Sequence, residues 1–139
     1  MTEWSFQLYS ARNHPPLSST LQLLAELGYT QVEGFGGLYG QAASLLQDLD
    51  RNGLTMPTGH FDLAMLEEPD QALPIIETLG VKAVICPHLA VEQRPSSAAG
   101  WKQLAETLNE VAKPYQAAGL GFGWHNHDFE FAALENGQT

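Results

Sequence analysis

Four times along this chain, apolar residues at helical spacing run into a glycine and then into a short apolar segment, and this alternation restricts the fold more than any other feature. The first unit is Leu17, Leu21, Leu24 and Leu27, closed by Gly28 before YTQVEGF; the second is Ala42, Leu45, Leu46 and Leu49, closed by Asn52-Gly53 before LTMPTGHF. The third is Ala72, Leu73, Ile76 and Leu79, closed by Gly80 before VKAVICPH; the fourth is Trp101, Leu104, Leu108, Val111 and Ala112, closed by Gly119 before LGFGWHN. A glycine just past the last periodic residue suits the left-handed position that ends a helix. Pro114 near the end of the fourth unit predicts a kink or an early stop, because proline removes a helical N–H. With SFQLYS in front, the pattern predicts five strands alternating with four helices, an α/β fold with a parallel sheet.

Two architectures accept five such strands. An open, flavodoxin-like sheet closes at about this size, whereas a complete (β/α)8 barrel needs about 250 residues. An open sheet would need a last helix over one face, and the tail ALENGQT is too short and too polar for it. The sequence therefore reads as an incomplete parallel (β/α) barrel of TIM type, with residues 1–139 as a single domain, the N-terminal portion of the barrel.

Charge and composition remove several function classes. The 139 residues carry 16 acidic and 6 basic side chains, a net charge of −10. The bases are scattered, so no nucleic-acid backbone is expected as a partner. No apolar run of about 18 residues is present to cross a membrane. MTEWSFQLYS lacks a basic segment followed by a long apolar one, which sets a cytoplasmic location as the expectation. Cys86 is the single cysteine, so neither an intrachain disulfide nor a cysteine-based zinc site can form. It reads as a small buried strand residue.

The joints between elements differ in kind. Helix-to-strand joints are tight and centred on glycine, whereas strand-to-helix joints are longer and carry Arg12, Asn13, His14, Glu33, His60, Asp62, His88, Asn126 and His127. In parallel β/α folds the C-terminal ends of the strands form the edge where ligands bind. In a strand, positions i and i+2 share a face about 7 Å apart, so His125 and His127 are expected to project together and Asn126 oppositely. Two imidazoles on one face can bind one metal or grip one substrate; otherwise one is a core histidine and the other a loop residue. His60, after Gly59, suits orienting a hydroxyl or moving a proton, since its pKa lies near neutrality. His88 occupies the equivalent place one strand on. Glu33 is expected either as a buried carboxylate whose raised pKa fits acid–base work or as the ion-pair partner of Arg12. Gln7 and Tyr9 would share a face of strand one, with Tyr9 either closing a ligand pocket or packing in the barrel. Gly34-Phe-Gly-Gly37 lacks the spacing of a phosphate loop and reads as a turn. The three tryptophans, Trp4, Trp101 and Trp124, read as packing residues.

The series FQLYSAR, QVEGFG, TGHFDL, VICPHL and WHNHDFEF, in this order and spacing, resembles the N-terminal part of the xylose isomerase-like barrel family. That family comprises sugar phosphate isomerases and epimerases, inosose dehydratases and hydroxypyruvate isomerases, with apurinic endonucleases as distant members. His-Asn-His-Asp-Phe-Glu-Phe is the most specific piece. The resemblance covers about five of the eight units of such a barrel, and implies a divalent-metal enzyme, using Mn, Mg, Co or Zn, that moves protons on a small sugar or polyol. Within it, Glu33, His60 and His127 take the catalytic roles, while Tyr9, His88, His125 and Asn126 bind substrate. Glu130 stands for the first of the family's Glu, Asp, His and Glu metal ligands. The other three have no counterpart in this sequence, so these residues alone are expected to be inactive and not to hold the metal by themselves. Two alternatives stand beside this reading. One is a metallohydrolase with its metal on His60, His125 and His127; the other is a non-catalytic half-barrel that associates through its exposed first and fifth strands.

Overall fold

In the computed structural model, which describes residues 4–134 and Gly137, five strands form one parallel sheet in the order β1-β2-β3-β4-β5. The strands are β1 (Ser5–Gln7), β2 (Gln31–Phe35), β3 (Thr55–His60), β4 (Ala83–Cys86) and β5 (Gly121–Trp124). The helices are α1 (Leu17–Glu26), α2 (Ala42–Arg51), α3 (Leu63–Leu66), α4 (Pro69–Leu79) and α5 (Ala98–Ala117). All five expected strands are present, and the sequential order is that of a barrel wall. Of the tail ALENGQT, Glu135, Asn136, Gln138 and Thr139 lie outside the described residues. No helix among the described residues is long and apolar enough to cross a membrane.

The periodic residues do what their spacing implies. Leu21 and Leu24 of α1, Leu45 and Leu49 of α2, and Ala72, Ile76 and Leu79 of α4 are buried against Val32, Met56 and Val84 on the helix-facing side of the sheet. Burying each such side chain contributes about 1.5–3 kcal/mol. Gly80 closes α4 in the left-handed region at φ 69°, and the glycines ending the other three units also have positive φ. Cys86 is fully buried, and desolvation pushes its thiol up to about 11, as expected of an inert strand residue.

Several expectations are corrected. Of the kink or early stop expected at Pro114, the stop does not occur: the helix of the fourth unit, α5, runs on to Ala117. Tyr115 anchors its last turn: the ring is fully buried and the hydroxyl donates to the Leu66 carbonyl at 2.8 Å. There are five helices rather than four, because Asp62 caps the short α3 by accepting from the Met65 N–H at 2.8 Å. Tyr9 is not on strand one. β1 ends at Gln7 and the chain turns into a 3-10 segment, Leu8–Ala11, that leaves Tyr9 48% exposed. β5 ends at Trp124, so His125, Asn126 and His127 lie beyond the strand. Trp4 is 69% exposed and does not pack in the core, whereas Trp101 stacks on Phe129.

Candidate functional site

A bulge in β3 aims the site's central histidine. Between its pairings with Thr55 and Thr58, β2 advances from Gln31 to Glu33, so β3 uses one more residue than its neighbour over the same span. Pro57 sits in this stretch, and it has no N–H to give to a ladder. Strand residues alternate faces, so the extra residue reverses which side everything after it points to. Met56 is thereby buried among the helices, while Thr58 and His60 both reach Glu33.

Those contacts form a closed network. Thr58 Oγ1 donates to Glu33 Oε2 at 2.7 Å, and His60 Nε2 lies 3.1 Å from Glu33 Oε1. On the other side of the imidazole, Gln7 Nε2 lies 3.2 Å from His60 Nδ1. His60 is only 7% exposed and is the sole buried polar or charged residue among those described. Glu33 was expected to have a raised pKa, but the opposite holds. The hydrogen bond from His60, helped by the one from Thr58, outweighs desolvation and lowers its carboxyl below the ordinary value. Nor does Glu33 pair with Arg12, whose guanidinium lies 3.7 Å over the Tyr9 ring and donates to the Tyr9 carbonyl.

Outward from His60, imidazoles succeed one another along the cavity wall. The His60 and His125 rings are 5.0 Å apart, His125 and His127 4.9 Å, and His127 and His88 5.5 Å. So His125 and His127 do approach each other, although a loop rather than a strand brings them together; the backbone N–H of His125 still bonds to the Cys86 carbonyl and extends the ladder by one rung. Desolvation at the wall is the main cause that lowers the pKa of His125. His88 is tied to Arg94, whose NH2 lies 2.9 Å from Nε2, while the guanidinium covers the Phe129 ring at 4.0 Å. Asn126 is exposed, its amide 3.4 Å from the His127 carbonyl.

Gln7, Tyr9, Phe35, Gly36, His60, Asp62, Pro87, His88, His125 and His127 line one open cavity of about 340 Å³ at the C-terminal ends of the strands. The structure thus gathers Tyr9, His60, His88, His125 and His127 around one space, with Glu33 hydrogen-bonded behind His60. Sequence reasoning passed over Thr58 and gave Gln7 no role of its own. The signal for Gln7 was its place at the end of a strand whose inward neighbour is Glu33.

Glu130 lies in a 3-10 turn, Phe129–Phe131, where Oε2 accepts from the His127 N–H at 2.8 Å and Oε1 from the Trp124 indole N–H at 3.0 Å. Its carboxylate fastens the His-Asn-His segment to β5. Among the described residues no group of three or more His, Cys, Asp or Glu side chains is placed to hold a metal ion. The alternative ligand set of His60, His125 and His127 is therefore not formed: both ring nitrogens of His60 already face Gln7 and Glu33.

A parallel, sequentially ordered wall with polar side chains gathered at its C-terminal rim defines a (β/α)-barrel of TIM type, here five strands of it. More particularly, the fold is that of the xylose isomerase-like TIM barrel proteins. A sugar phosphate isomerase/epimerase from Parabacteroides distasonis superposes with a TM-score of 0.81 at 23% identity, over 95% of this chain and 53% of that one. A family 2 AP endonuclease from Brucella melitensis gives 0.69 at 17% identity, over 89% and 55% of the two chains. An IolI protein with a bound zinc atom gives 0.68 at 17% identity, over 88% and 51%. The chain spans about half the length of these structures. No family model matches the sequence, and no curated protein matches it significantly.

Proposed function

We propose that this rim is the substrate-side half of a sugar isomerase or epimerase site, built for proton transfer next to a carbonyl on a small sugar or polyol. The observation that carries the reading is the gathering of four imidazoles from three strand ends around one cavity, with the Glu33 carboxylate hydrogen-bonded behind His60. Glu33 takes the proton; His60 orients the carboxylate; His127 moves a proton on the outer side; Tyr9, His88, His125 and Asn126 hold hydroxyls. Carboxylates and imidazoles are the groups whose protonation suits this chemistry near neutral pH. A divalent metal (Mn, Mg, Co or Zn), such as the zinc in the IolI structure, would polarise the carbonyl when bound. The described residues do not make such a site by themselves, so no step here passes through it. Glu130 is the one side chain we assign to it, each oxygen retaining a lone pair beyond the bond it accepts.

The test is an imidazole NMR titration of these 139 residues with D-fructose, D-xylose and myo-inositol. At least one of them is expected to move the His60, His125 and His127 signals together with millimolar midpoints, and silence of all three signals with every sugar would refute the assignment. Deuterium uptake from D2O into the sugars is expected to be absent with these residues alone. Uptake would show that they need nothing more for turnover.

A second reading is favoured by one observation: among the described residues β1 and β5 pair on one side only, which leaves two strand edges open. Open edges template pairing with another chain. Light scattering after gel filtration is expected to show self-association that grows with concentration; a strict monomer across the range removes this reading.

A further inference from the structure

We propose that Gln7 is a positioning residue that holds His60 as the neutral Nε2–H tautomer, so that Glu33, and not His60, is the proton acceptor of the site. The chemistry of the two ring nitrogens decides this. Nε2 lies 3.1 Å from Glu33 Oε1, and a carboxylate can only accept there, so Nε2 carries a hydrogen. Nδ1 lies 3.2 Å from the Gln7 side-chain nitrogen, which can only donate, so Nδ1 presents its lone pair. Both conditions hold together only in the uncharged ring with its hydrogen on Nε2. At 7% exposure the imidazole has little water to turn to for other partners.

Charge around the ring makes the role of Gln7 specific. The ionisable groups facing His60 are Glu33 from β2 and His125 from the segment after β5, while β4 presents Ile85 as its register partner and β1 presents the neutral amide of Gln7. Glu33 alone would draw a proton onto His60 and turn the pair into a carboxylate–imidazolium. A donor at Nδ1 opposes that, because a protonated Nδ1 would meet an N–H head on. The remaining freedom lies with the carboxylate. Oε1 and Oε2 each accept one bond, from His60 and Thr58, and each keeps a lone pair in a side chain that is 22% exposed. Proton gain at His60 would require Gln7 to turn its carbonyl inward, so the amide gates the only route by which the imidazole could take the proton instead.

This inference rests on the proposed function for its catalytic meaning, but not for its test, which needs no substrate. The experiment is nitrogen-15 NMR of the imidazoles in the 139-residue chain at pH 7.5, for wild type, Gln7→Met and Gln7→Glu. The wild type is expected to show His60 protonated at Nε2 alone. Gln7→Glu puts an acceptor opposite Nδ1 and is expected to raise the cationic fraction of His60 about tenfold, with Gln7→Met in between. A merely structural Gln7 would leave the His60 protonation state unchanged in both variants. A wild-type ring protonated at Nδ1, or charged at this pH, overturns the proposal, and so does a protonation state indifferent to both substitutions. Should Gln7→Glu fail to fold, the wild-type tautomer and Gln7→Met still decide. Sugars that leave the imidazole signals unmoved would defeat the functional reading while leaving this result intact.

Discussion

Gly59→Ala is expected to destabilise the protein by about 3 kcal/mol, and Tyr39→Phe is expected to recover most of that loss. A Cβ built on Gly59 stands 2.5 Å from the Tyr39 hydroxyl oxygen and 3.0 Å from Phe61 Cε2. Neither ring has room to retreat, since Tyr39 is 2% exposed, Phe61 is fully buried, and the two are stacked at 4.3 Å. Overfilling a close-packed layer shifts rotamers or backbone, and here the backbone concerned is β3 one residue before His60. The nearest obstructing atom is the hydroxyl, and removing it leaves the ring carbon beneath at 3.6 Å, an ordinary contact. That hydroxyl has no hydrogen-bond partner among the described residues, and burial raises the phenol's pKa, with the Glu33 charge adding to it. Tyr39→Phe alone is therefore expected to stabilise by about 1 kcal/mol, because a buried unpaired polar group costs more than the apolar group replacing it. Urea unfolding of the four proteins in the cycle measures the coupling. Additive effects, with the double variant as unstable as the sum, would contradict the assignment of the clash to the hydroxyl. Gly34→Ala is the milder control, since its Cβ would meet Met56 Sδ at 2.5 Å, the far end of a flexible side chain.

The helices and their order were legible because their signals are local. A 3.6-residue period and a closing glycine need no knowledge of distant partners, and Leu21, Leu45 and Ile76 are buried where the period puts them. The rim was legible for a related reason: in a parallel sheet every strand's C-terminal end meets the same edge, so His60, His88 and His127 could be placed together without knowing their contacts. What escaped depends on register and on single hydrogen bonds. The bulge that turns His60 towards Glu33 arises from pairing across β2 and β3, for which Pro57 is only a faint local sign. The place of Tyr9 was missed because β1 stops after three residues and alternation ceases with it. Glu33 was read either from burial or from a pairing with Arg12, and the missing quantity was the donor from β3 that outweighs desolvation.

Glu33→Gln is expected to destabilise the protein by about 2 kcal/mol at pH 7, a difference that disappears in acid. In the folded protein the carboxyl lies below its ordinary pKa, chiefly through the His60 hydrogen bond. A group depressed on folding binds fewer protons folded than unfolded. Its contribution to stability is thus full above the unfolded-state value, about 4.3, and is lost as pH falls through the lower folded value. Glutamine keeps an oxygen for His60 Nε2–H and can donate to Thr58, so shape and bonding largely survive. What goes is the charge, and with it the charge-assisted part of both bonds. Urea midpoints measured from pH 8 to pH 3 are expected to show the wild-type curve descending onto that of the variant below about pH 4. Parallel curves would mean that Glu33 is not held ionised by its partners. The same measurement bears on the proposed role of Glu33, because a carboxylate held below its ordinary pKa by His60 and Thr58 is a weaker base than a free one, and the size of that loss is what the pH dependence reads.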